Sequence, residues 1–321
     1  MRKHAGHRLI PLPALLAACL STPTTNTGAQ TRPPAPAETP AMATSPSPMN
    51  AAPHPLAVVI TNPGLPGPVD MTARTDGTPE DIAARVEAAR LSRELLASVH
   101  TAYLPKPEIS ASWTLLARSQ WTASSHDPTR PQIVLVVDRN PHIERLTVML
   151  VQANDGEWIP IGTVPVSTGQ SGRKNHYITP TGVFTNDTSR LGYRAEGTKN
   201  ENGIRGLGAR GMRVWDFGWQ EADKGWHGNG ASGPIRLEMH ATDPTYLESR
   251  LGRPASEGCI RIPAAFNRFM DLNGLIDRDY ENASIDDPRF AALLPKSRTP
   301  TSIAGNTVIV IDSSPSRGIR G

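Results

Sequence analysis

The sequence predicts a mostly β protein in which a helical segment precedes the strands and a short helix follows the second cysteine. From residue 132 onward, runs rich in β-branched residues alternate with turn signals such as Asn154-Asp155-Gly156. Short strands at this spacing favour an antiparallel meander or a β-sandwich. Ahead of them, residues 78–103 carry apolar side chains at helical spacing.

The first 18 residues predict an export signal of the lipoprotein type. Three basic residues precede a short apolar run from Leu9 to Ala18, which is too short to span a bilayer. The run ends in Leu-Ala-Ala-Cys at 16–19. This ending resembles a bacterial lipobox, so we expect Cys19 to carry lipid and to anchor the protein to a membrane. An ordinary cleaved signal with an incidental Cys19 is the alternative.

Residues 19–55 are rich in Pro, Thr, Ala and Ser and hold almost no large apolar side chains. Such a composition cannot offset the entropy of ordering, so we expect a disordered linker here. We also expect a disordered tail at 314–321. The formal net charge of +3 is carried by the signal, which leaves the rest of the chain near neutral. Since no basic cluster contains interleaved aromatic residues, we expect no nucleic-acid partner.

Residues 56–130 predict a helical lead-in to the β-rich part of the chain. Thr78 and Pro79 suit the start of a helix, and apolar residues follow at helical spacing through Tyr103, after which two prolines end the pattern. A second short apolar segment around Trp113 follows. We interpret this region as packing against the β-rich domain, and an independent binding module is the alternative.

The strand predictions are clearest at 133–137, 146–151, 158–166 and 307–311. Near the middle of the chain, apolar residues at 235, 237 and 239 alternate with Arg236 and Glu238, as is typical of a half-buried strand. The glycine-rich and aromatic stretch 186–234 lacks clear periodicity and predicts a long ordered loop or lid. Residues 276–305 predict an insertion before the last strand.

Two reactive side chains stand out in the β-rich part. His240 falls at the end of the alternating strand, and Cys259 lies in a glycine-containing turn. Because Pro263 suits the first turn of a helix over 263–275, we expect the thiol near a helix N-terminus and an imidazolium, which both favour thiolate. The backbone N–H groups of Gly258 and Cys259 are expected to form an oxyanion hole.

The alternative is that Cys259 is an inert buried residue. One Cys and one His supply too few ligands for a structural zinc, so we expect no metal site. The sequence holds two Cys in all. With Cys19 assigned to the signal, Cys259 is left unpaired and no disulfide is expected.

Three signatures occur in order along the β-rich part. They are Val166-Ser167-Thr168-Gly169, then Thr179-Pro180-Thr181-Gly182-Val183-Phe184, and then His240-Ala241-Thr242 with Ser256-Glu257-Gly258-Cys259-Ile260-Arg261. Together they resemble L,D-transpeptidases of the YkuD type, cysteine acyltransferases that act on peptidoglycan stem peptides. The resemblance implies a catalytic domain over 131–313. The family often has His-Gly and Ser-His-Gly-Cys, so Ala241 and Glu257 are departures, and Glu257 places a carboxylate beside the thiol.

The resemblance implies that Cys259 attacks a carbonyl of a stem tetrapeptide, that His240 takes the thiol proton, and that the carbonyl of Ala241 orients the imidazole. Residues expected to contact the substrate are Arg261, Ser256, Glu257, Thr242, Trp226 and His227. The implied product is a cell-wall cross-link, made in the periplasm without a cofactor. The alternatives are a carboxypeptidase or amidase that uses water, and an inactive wall-binding lipoprotein. The oligomeric state is not predicted.

Overall fold

The computed structural model of the chain describes residues 77–124 and 129–315. The predicted export signal, the lipidation site Cys19, the linker, residues 56–76 of the predicted lead-in and residues 316–321 of the tail lie outside these ranges. Within them, no helix combines the length and the apolar character needed to cross a membrane.

Two helices precede the strands, α1 at Pro79–Ser98 and α2 at Pro107–Thr122. Helix α1 begins as predicted, because Thr78 Oγ1 accepts a hydrogen bond from the backbone N–H of Asp81. It ends at Ser98 rather than at Tyr103, since Tyr103 exchanges two backbone hydrogen bonds with Thr163 of the sheet. The predicted helical lead-in is confirmed, and α1 packs against the β-rich domain.

Nine strands follow in the described residues. They are β1 Gln132–Asp138, β2 Arg145–Val151, β3 Trp158–Pro165, β4 Gly182–Thr185, β5 Tyr193–Arg194, β6 Arg213–Asp223, β7 Ser232–Ala241, β8 Ile260–Ile262 and β9 Thr307–Ile311. They form a five-stranded sheet in the order β3-β2-β1-β9-β4 and a four-stranded sheet in the order β5-β6-β7-β8. The mostly β fold with a helical lead-in is therefore confirmed.

The first sheet contains the predicted meander, because β1, β2 and β3 pair antiparallel in sequence order. The last strand then enters the middle of the sheet. Strand β9 lies parallel to β1 on one side and antiparallel to β4 on the other. Since a central strand cannot be removed without exposing its neighbours, the folded domain extends at least to Ile311.

The second sheet corrects the interpretation of residues 186–234. The predicted loop contains β5 and the eleven-residue β6, which pairs antiparallel with β7 over its length. The pairing register shifts between Asp216 and Trp219, where Gly218 adopts φ +77°. This bulge breaks the period-2 alternation, which is why the stretch looked aperiodic. Trp215 lies before the bulge and Phe217 lies within it, and both are fully buried.

The core lies between the two sheets. One continuous apolar cluster joins Leu135 and Leu146 of the first sheet to Leu237 and Ile260 of the second. Helix α3, Ala264–Asn273, adds Phe266 to the same cluster. The predicted insertion 276–305 folds into α4, Arg278–Ala283, and α5, Pro288–Leu293, around a small cluster of its own.

Candidate active site

The second sheet has one apolar face and one polar face. On β7, Leu237 and Met239 have no exposed surface and join the core, whereas Arg236 is exposed and Glu238 is half-buried on the opposite side. We call that opposite side the outer face of the second sheet. Because strand side chains alternate, His240 lies on the outer face with Glu238.

The pairing of β7 with β8 brings the predicted nucleophile and base to the same face. The two strands run parallel, and His240 is paired with Arg261. Ile260 and Ile262 of β8 point into the core, so Cys259 and Arg261 belong to the outer face. Cys259 is therefore a diagonal neighbour of His240 across adjacent strands. Its thiol donates to the carbonyl oxygen of Arg236, at 3.7 Å, and not to His240.

The turn that carries Cys259 is held by hydrogen bonds within itself. Ser256 Oγ donates to the carbonyl oxygen of Cys259 at 2.6 Å and accepts from the N–H of Gly258 at 3.1 Å. Gly258 has φ +132°, and a Cβ there would lie 2.9 Å from Ile235 Cδ1. Only glycine fits this position. The expectation that the Gly258 N–H is free for an oxyanion is wrong, because Ser256 occupies it.

A single hydroxyl connects the three sequence signatures. Thr179 Oγ1 accepts a hydrogen bond from the N–H of Gly169 at 2.9 Å and donates to the carbonyl oxygen of Gly258 at 2.7 Å. Gly169 also pairs with Ser256, and a Cβ on Gly169 would lie 1.9 Å from the carbonyl oxygen of Tyr177. The two upstream signatures therefore form the support of the cysteine turn.

A buried carboxyl group anchors the first of these signatures. Glu144 has no exposed surface. Its two oxygens accept from the backbone N–H of Thr168 at 2.6 Å and from Thr168 Oγ1 at 2.5 Å. Burial raises the pKa of Glu144 to about 8, although the bonds from Thr168 act in the opposite direction. Sequence patterns gave no indication of this residue, because Glu144 follows a turn and lies outside every signature.

The helix expected after Cys259 does not reach it. Strand β8 occupies residues 260–262, Pro263 takes the N-cap position, and α3 begins at Ala264. The positive end of a helix macrodipole acts within about the first turn. The expected stabilisation of a thiolate by this helix is therefore wrong, because a strand separates the two.

His240 is placed to act as a neutral base. Its Nδ1 lies 2.8 Å from the carbonyl oxygen of Ala241, the contact that the sequence predicts. A carbonyl only accepts, so in the neutral ring Nδ1 carries the proton and Nε2 keeps its lone pair. Burial lowers the pKa of His240 to about 4, and the charge of Arg261 adds to the effect. The expected imidazolium is therefore wrong at neutral pH.

The thiol of Cys259 is protonated in the resting site. Burial raises its pKa to about 12, and the negative charge of Glu238 is the next cause. The backbone of Glu238 acts in the opposite direction through a hydrogen bond, as does the charge of Arg261, whereas Glu257 raises the pKa only as the last of these causes. The predicted thiolate is thus replaced by a neutral pair of thiol and imidazole.

Two of the predicted substrate contacts, Ser256 and Arg261, support the cysteine turn, whereas Glu257 and Thr242 are not part of that support. Ser256 has no exposed surface, and its hydroxyl is taken up by the turn, so it supports Cys259 instead of meeting a ligand. Arg261 also supports the turn, since its Nη1 donates to the carbonyl oxygen of Ala255 at 3.0 Å. Glu257 is exposed at the tip. Thr242 is buried, and its hydroxyl has no hydrogen-bond partner among the described residues.

Trp226 and His227 lie in the hairpin between β6 and β7. Trp226 makes an edge contact with Tyr177, with ring centroids 5.1 Å apart. His227 lines an open cavity of about 940 Å³ together with Lys224 and the backbone of Gly169. Neither Cys259 nor His240 lines this cavity. No hydrogen bond joins His227 to the thiol among the described residues, and substrate contact by this pair stays a prediction.

Two residues of the outer face were not singled out from the sequence. Glu238 and Tyr193 meet beside the thiol, where Tyr193 Oη donates to Glu238 Oε1 at 2.9 Å. The alternation around His240 places Glu238 on the same face, so the period-2 signal was sufficient to find it. Tyr193 sits on a two-residue strand inside the stretch read as a loop, and no sequence signal marks it.

The comparison with protein families identifies the domain. Residues 132–272 match the family model YkuD, described as the L,D-transpeptidase catalytic domain. The resemblance carried by the three signatures is therefore confirmed. The matched range includes β1 and all but the last residue of α3, and it stops before the central strand β9. No curated protein sequence matches the chain.

Two solved structures resemble the chain at low similarity. One is a fused Zn-dependent amidase/peptidase/peptidoglycan-binding domain-containing protein from Clostridium acetobutylicum, with 15% identity, a TM-score of 0.23 and 65% coverage of each chain. The other is the helical cell shape determining protein Pgp2 from Campylobacter jejuni, with 14% identity, a TM-score of 0.25 and coverage of 66% of this chain and 58% of that one. The chain spans less than two thirds of either protein, and similarity at this level carries no argument.

Proposed function

Residues 132–272 belong to the YkuD family of L,D-transpeptidase catalytic domains, and on this premise we propose that the protein is a peptidoglycan L,D-transpeptidase. In this proposal Cys259 is the nucleophile and His240 is the base. The donor is a stem tetrapeptide, the covalent intermediate is a thioester on Cys259, and the acceptor is an amine of a neighbouring stem.

The observation that carries the proposal is the shared outer face of the second sheet. Register places Cys259 diagonally across from His240, and the bond from Nδ1 to Ala241 leaves Nε2 as an acceptor. In the resting site Sγ contacts the carbonyl oxygen of Arg236, and in this proposal the thiol turns toward that nitrogen when it reacts. A nucleophile beside a base that a third group orients is the arrangement that acyl transfer requires.

Acylation follows from the neutral resting pair. His240 Nε2 takes the thiol proton while sulfur attacks the carbonyl carbon that links the third residue of the stem to its terminal D-amino acid. The imidazolium then returns that proton to the nitrogen of the departing D-amino acid, the C–N bond breaks, and a thioester remains. Because Ser256 occupies the Gly258 N–H, the Cys259 N–H is the member of the predicted pair left to bind the oxyanion.

The support of the turn explains how the geometry is kept. Thr179 ties the turn to Gly169, Glu144 holds Thr168, and Arg261 exchanges two backbone hydrogen bonds with Ser167. A reacting group fixed by a rigid shell loses little entropy when the substrate arrives. On this basis the proposal assigns the two upstream signatures to positioning and the outer face to chemistry.

The proposed cellular location of the protein follows from where its proposed substrate is found. We propose that the chain is exported to the periplasm, where stem peptides are reached, and that Cys19 carries a lipid anchor. The proline-rich linker then sets the catalytic domain away from the membrane. Mass analysis of the processed N-terminus from a membrane fraction tests this, since an acylated Cys19 at the first position supports it and an uncut or unmodified N-terminus contradicts it.

The activity is tested by incubating the purified chain with stem tetrapeptides and identifying the products by mass. Cross-linked dimers with released D-amino acid are the expected products. Tripeptides alone would indicate that water is the acceptor and that the protein is a carboxypeptidase. Unchanged tetrapeptide would indicate the inactive wall-binding alternative, for which the raised pKa of Cys259 supplies a physical reason.

A further inference from the structure

A carboxyl group that acylation does not use lies beside the thiol. Glu238 precedes Met239, which is paired with Ile260, so Glu238 stands level with Cys259 on the adjacent strand. Both side chains belong to the outer face. Tyr193 Oη donates to Glu238 Oε1 at 2.9 Å. This hydrogen bond fixes the carboxyl group from the direction of β5, on the same face of the sheet.

The surroundings leave this carboxyl group without a cation of its own. Asp216 of β6 is paired with Glu238 in the sheet, and Arg236 of β7 directs its guanidinium to Asp216, with Nε 2.8 Å from Oδ2. Among the described residues, Glu238 therefore forms no ion pair of its own, although the charge of Arg236 lowers its pKa. Because Glu238 lies next to Cys259, its negative charge is, after burial, the largest cause that raises the pKa of the thiol.

We infer that Glu238 is the acceptor-recognition residue, binding the ammonium group of the incoming stem and taking its proton before that amine attacks the thioester. The inference rests on the proposed function and extends it to the second half of the reaction. An unpaired carboxylate beside a neutral thioester attracts a cation, whereas it disfavours the thiolate that acylation develops. Glu238 thus slows the formation of the thioester and favours the later attack of the amine on it.

The attack of the acceptor amine on the thioester conserves protons and electrons. The acceptor ammonium gives one proton to the Glu238 carboxylate, and the freed nitrogen lone pair attacks the thioester carbonyl carbon. The tetrahedral intermediate breaks its C–S bond, forming an amide and releasing the sulfur of Cys259. The second proton of the nitrogen passes through His240 to that sulfur, and Glu238 returns its proton to solvent. No oxidant or reductant is needed.

The test compares E238Q with a matched carboxylate on the same face. Glu221 of β6 is exposed and bonds to Ser232, and in the register it stands opposite Pro234, away from the thiol. In E238Q we expect the ratio of aminolysis to hydrolysis of the acyl-enzyme to fall at least about tenfold. The KM for the acceptor amine rises, while acyl-enzyme formation from tetrapeptide is at least as fast as in the wild type. E221Q changes none of these.

A pH profile separates recognition from a structural role. Aminolysis by the wild type requires ionised Glu238, whose pKa burial raises, so its rate falls on the acid side. This limb disappears in E238Q. The other ionisable groups facing Glu238 are Tyr193, Asp216, Arg236 and Cys259, with Arg261 and Glu257 on the far side of Cys259, and all of them are retained in the variant.

An unchanged product ratio and acceptor KM in a folded E238Q would overturn the inference, as would an equal loss of acylation and aminolysis. If E238Q does not fold, Y193F serves as the second variant, because it removes the hydrogen bond that fixes Glu238. We expect it to lower the ratio, and an unchanged ratio overturns the inference. Absence of any acyl-enzyme in the wild type overturns the proposed function instead, which distinguishes the two failures.

Discussion

The two sheets differ in what covers them. Every residue of β1 in the first sheet is buried, since the main core lies against one face and a second cluster with Trp113 and Trp121 of α2 lies against the other. The second sheet has an apolar inner face against that core, whereas its outer face is polar and carries Asp216 and Glu238 in addition to Cys259 and His240. In the proposed function, the first sheet is therefore the scaffold and the second sheet carries the reacting groups.

The largest effect is expected from removing the base on the outer face. H240Q removes the nitrogen that accepts the thiol proton, so acyl-enzyme formation falls by at least roughly a thousandfold. H142Q is the matched control, because His142 is exposed in the turn between β1 and β2 of the scaffold sheet. Stopped-flow release of the D-amino acid measures both variants. A loss below tenfold in H240Q would remove His240 from the mechanism.

The second effect concerns the buried carboxyl group of Glu144, which holds Thr168. An unfolded glutamate ionises near its ordinary pKa of 4.5, whereas Glu144 in the folded chain has a pKa of about 8. Between these values the unfolded state has lost a proton that the folded state retains, so stability falls as pH rises. Glu144 alone should therefore lower the unfolding free energy by on the order of 2 to 4 kcal/mol between pH 5 and pH 8, whereas the lowered pKa of His240 acts in the opposite direction in the acid part of this range.

E144Q removes this titration while keeping the size of the side chain. Its amide can still accept from the N–H of Thr168 and donate to Thr168 Oγ1. We expect E144Q to lack the loss caused by Glu144, so that its unfolding free energy rises relative to that of the wild type by on the order of 2 to 4 kcal/mol from pH 5 to pH 8. Urea denaturation at pH 5 and pH 8 provides both values. A slope in E144Q equal to that of the wild type would show that Glu144 is not the titrating group.

The third effect compares the loss of one buried hydroxyl beside the cysteine turn with the loss of one in the first sheet. T179V deletes the hydroxyl that joins Gly169 to Gly258, and it leaves a buried donor and a buried acceptor without partners, at a cost of about 2 to 3 kcal/mol in stability. T147V is the matched control in the first sheet, where Thr147 Oγ1 lies 2.9 Å from Thr163 Oγ1 in the core of that sheet. It should cost about 1 to 2 kcal/mol.

The two variants should differ in activity per folded molecule. T179V releases the cysteine turn, so acylation slows by about tenfold, since a small misplacement of reacting atoms is costly. T147V leaves acylation unchanged, because its hydroxyl contacts the scaffold sheet only. Urea denaturation gives the stabilities and D-amino acid release gives the rates. Equal rates in the two variants would mean that Thr179 supports stability alone.

The sequence predicted the scaffold well, since its strands have regular β-branched runs between turns. Strand β9 was predicted at 307–311, where the structure has it. The second sheet was harder to predict. A bulge at Gly218 interrupts the alternation of β6, and β5 is too short to leave a pattern.

At the candidate site, the signatures identified Cys259 and His240, and the register of β7 with β8 brings them to one face. The predicted charge states of the two groups were wrong, because the sequence features indicated a thiolate and an imidazolium whereas the folded chain has a neutral thiol and a neutral imidazole. Burial of the two groups is a property of the whole fold, and it outweighs the local sequence features from which thiolate was expected. The same limit applies to Glu144 and Thr179, because their partners at Thr168, Gly169 and Gly258 are distant in sequence.

The central claim is that the thiol on the outer face becomes acylated by a stem tetrapeptide. The intact mass of the chain after brief incubation with tetrapeptide, followed by acid quench, tests this most directly. The account predicts an added mass equal to the tetrapeptide less its terminal D-amino acid, located on Cys259 by digestion and absent in C259A. An unchanged mass for the wild type, or the same added mass in C259A, would contradict it.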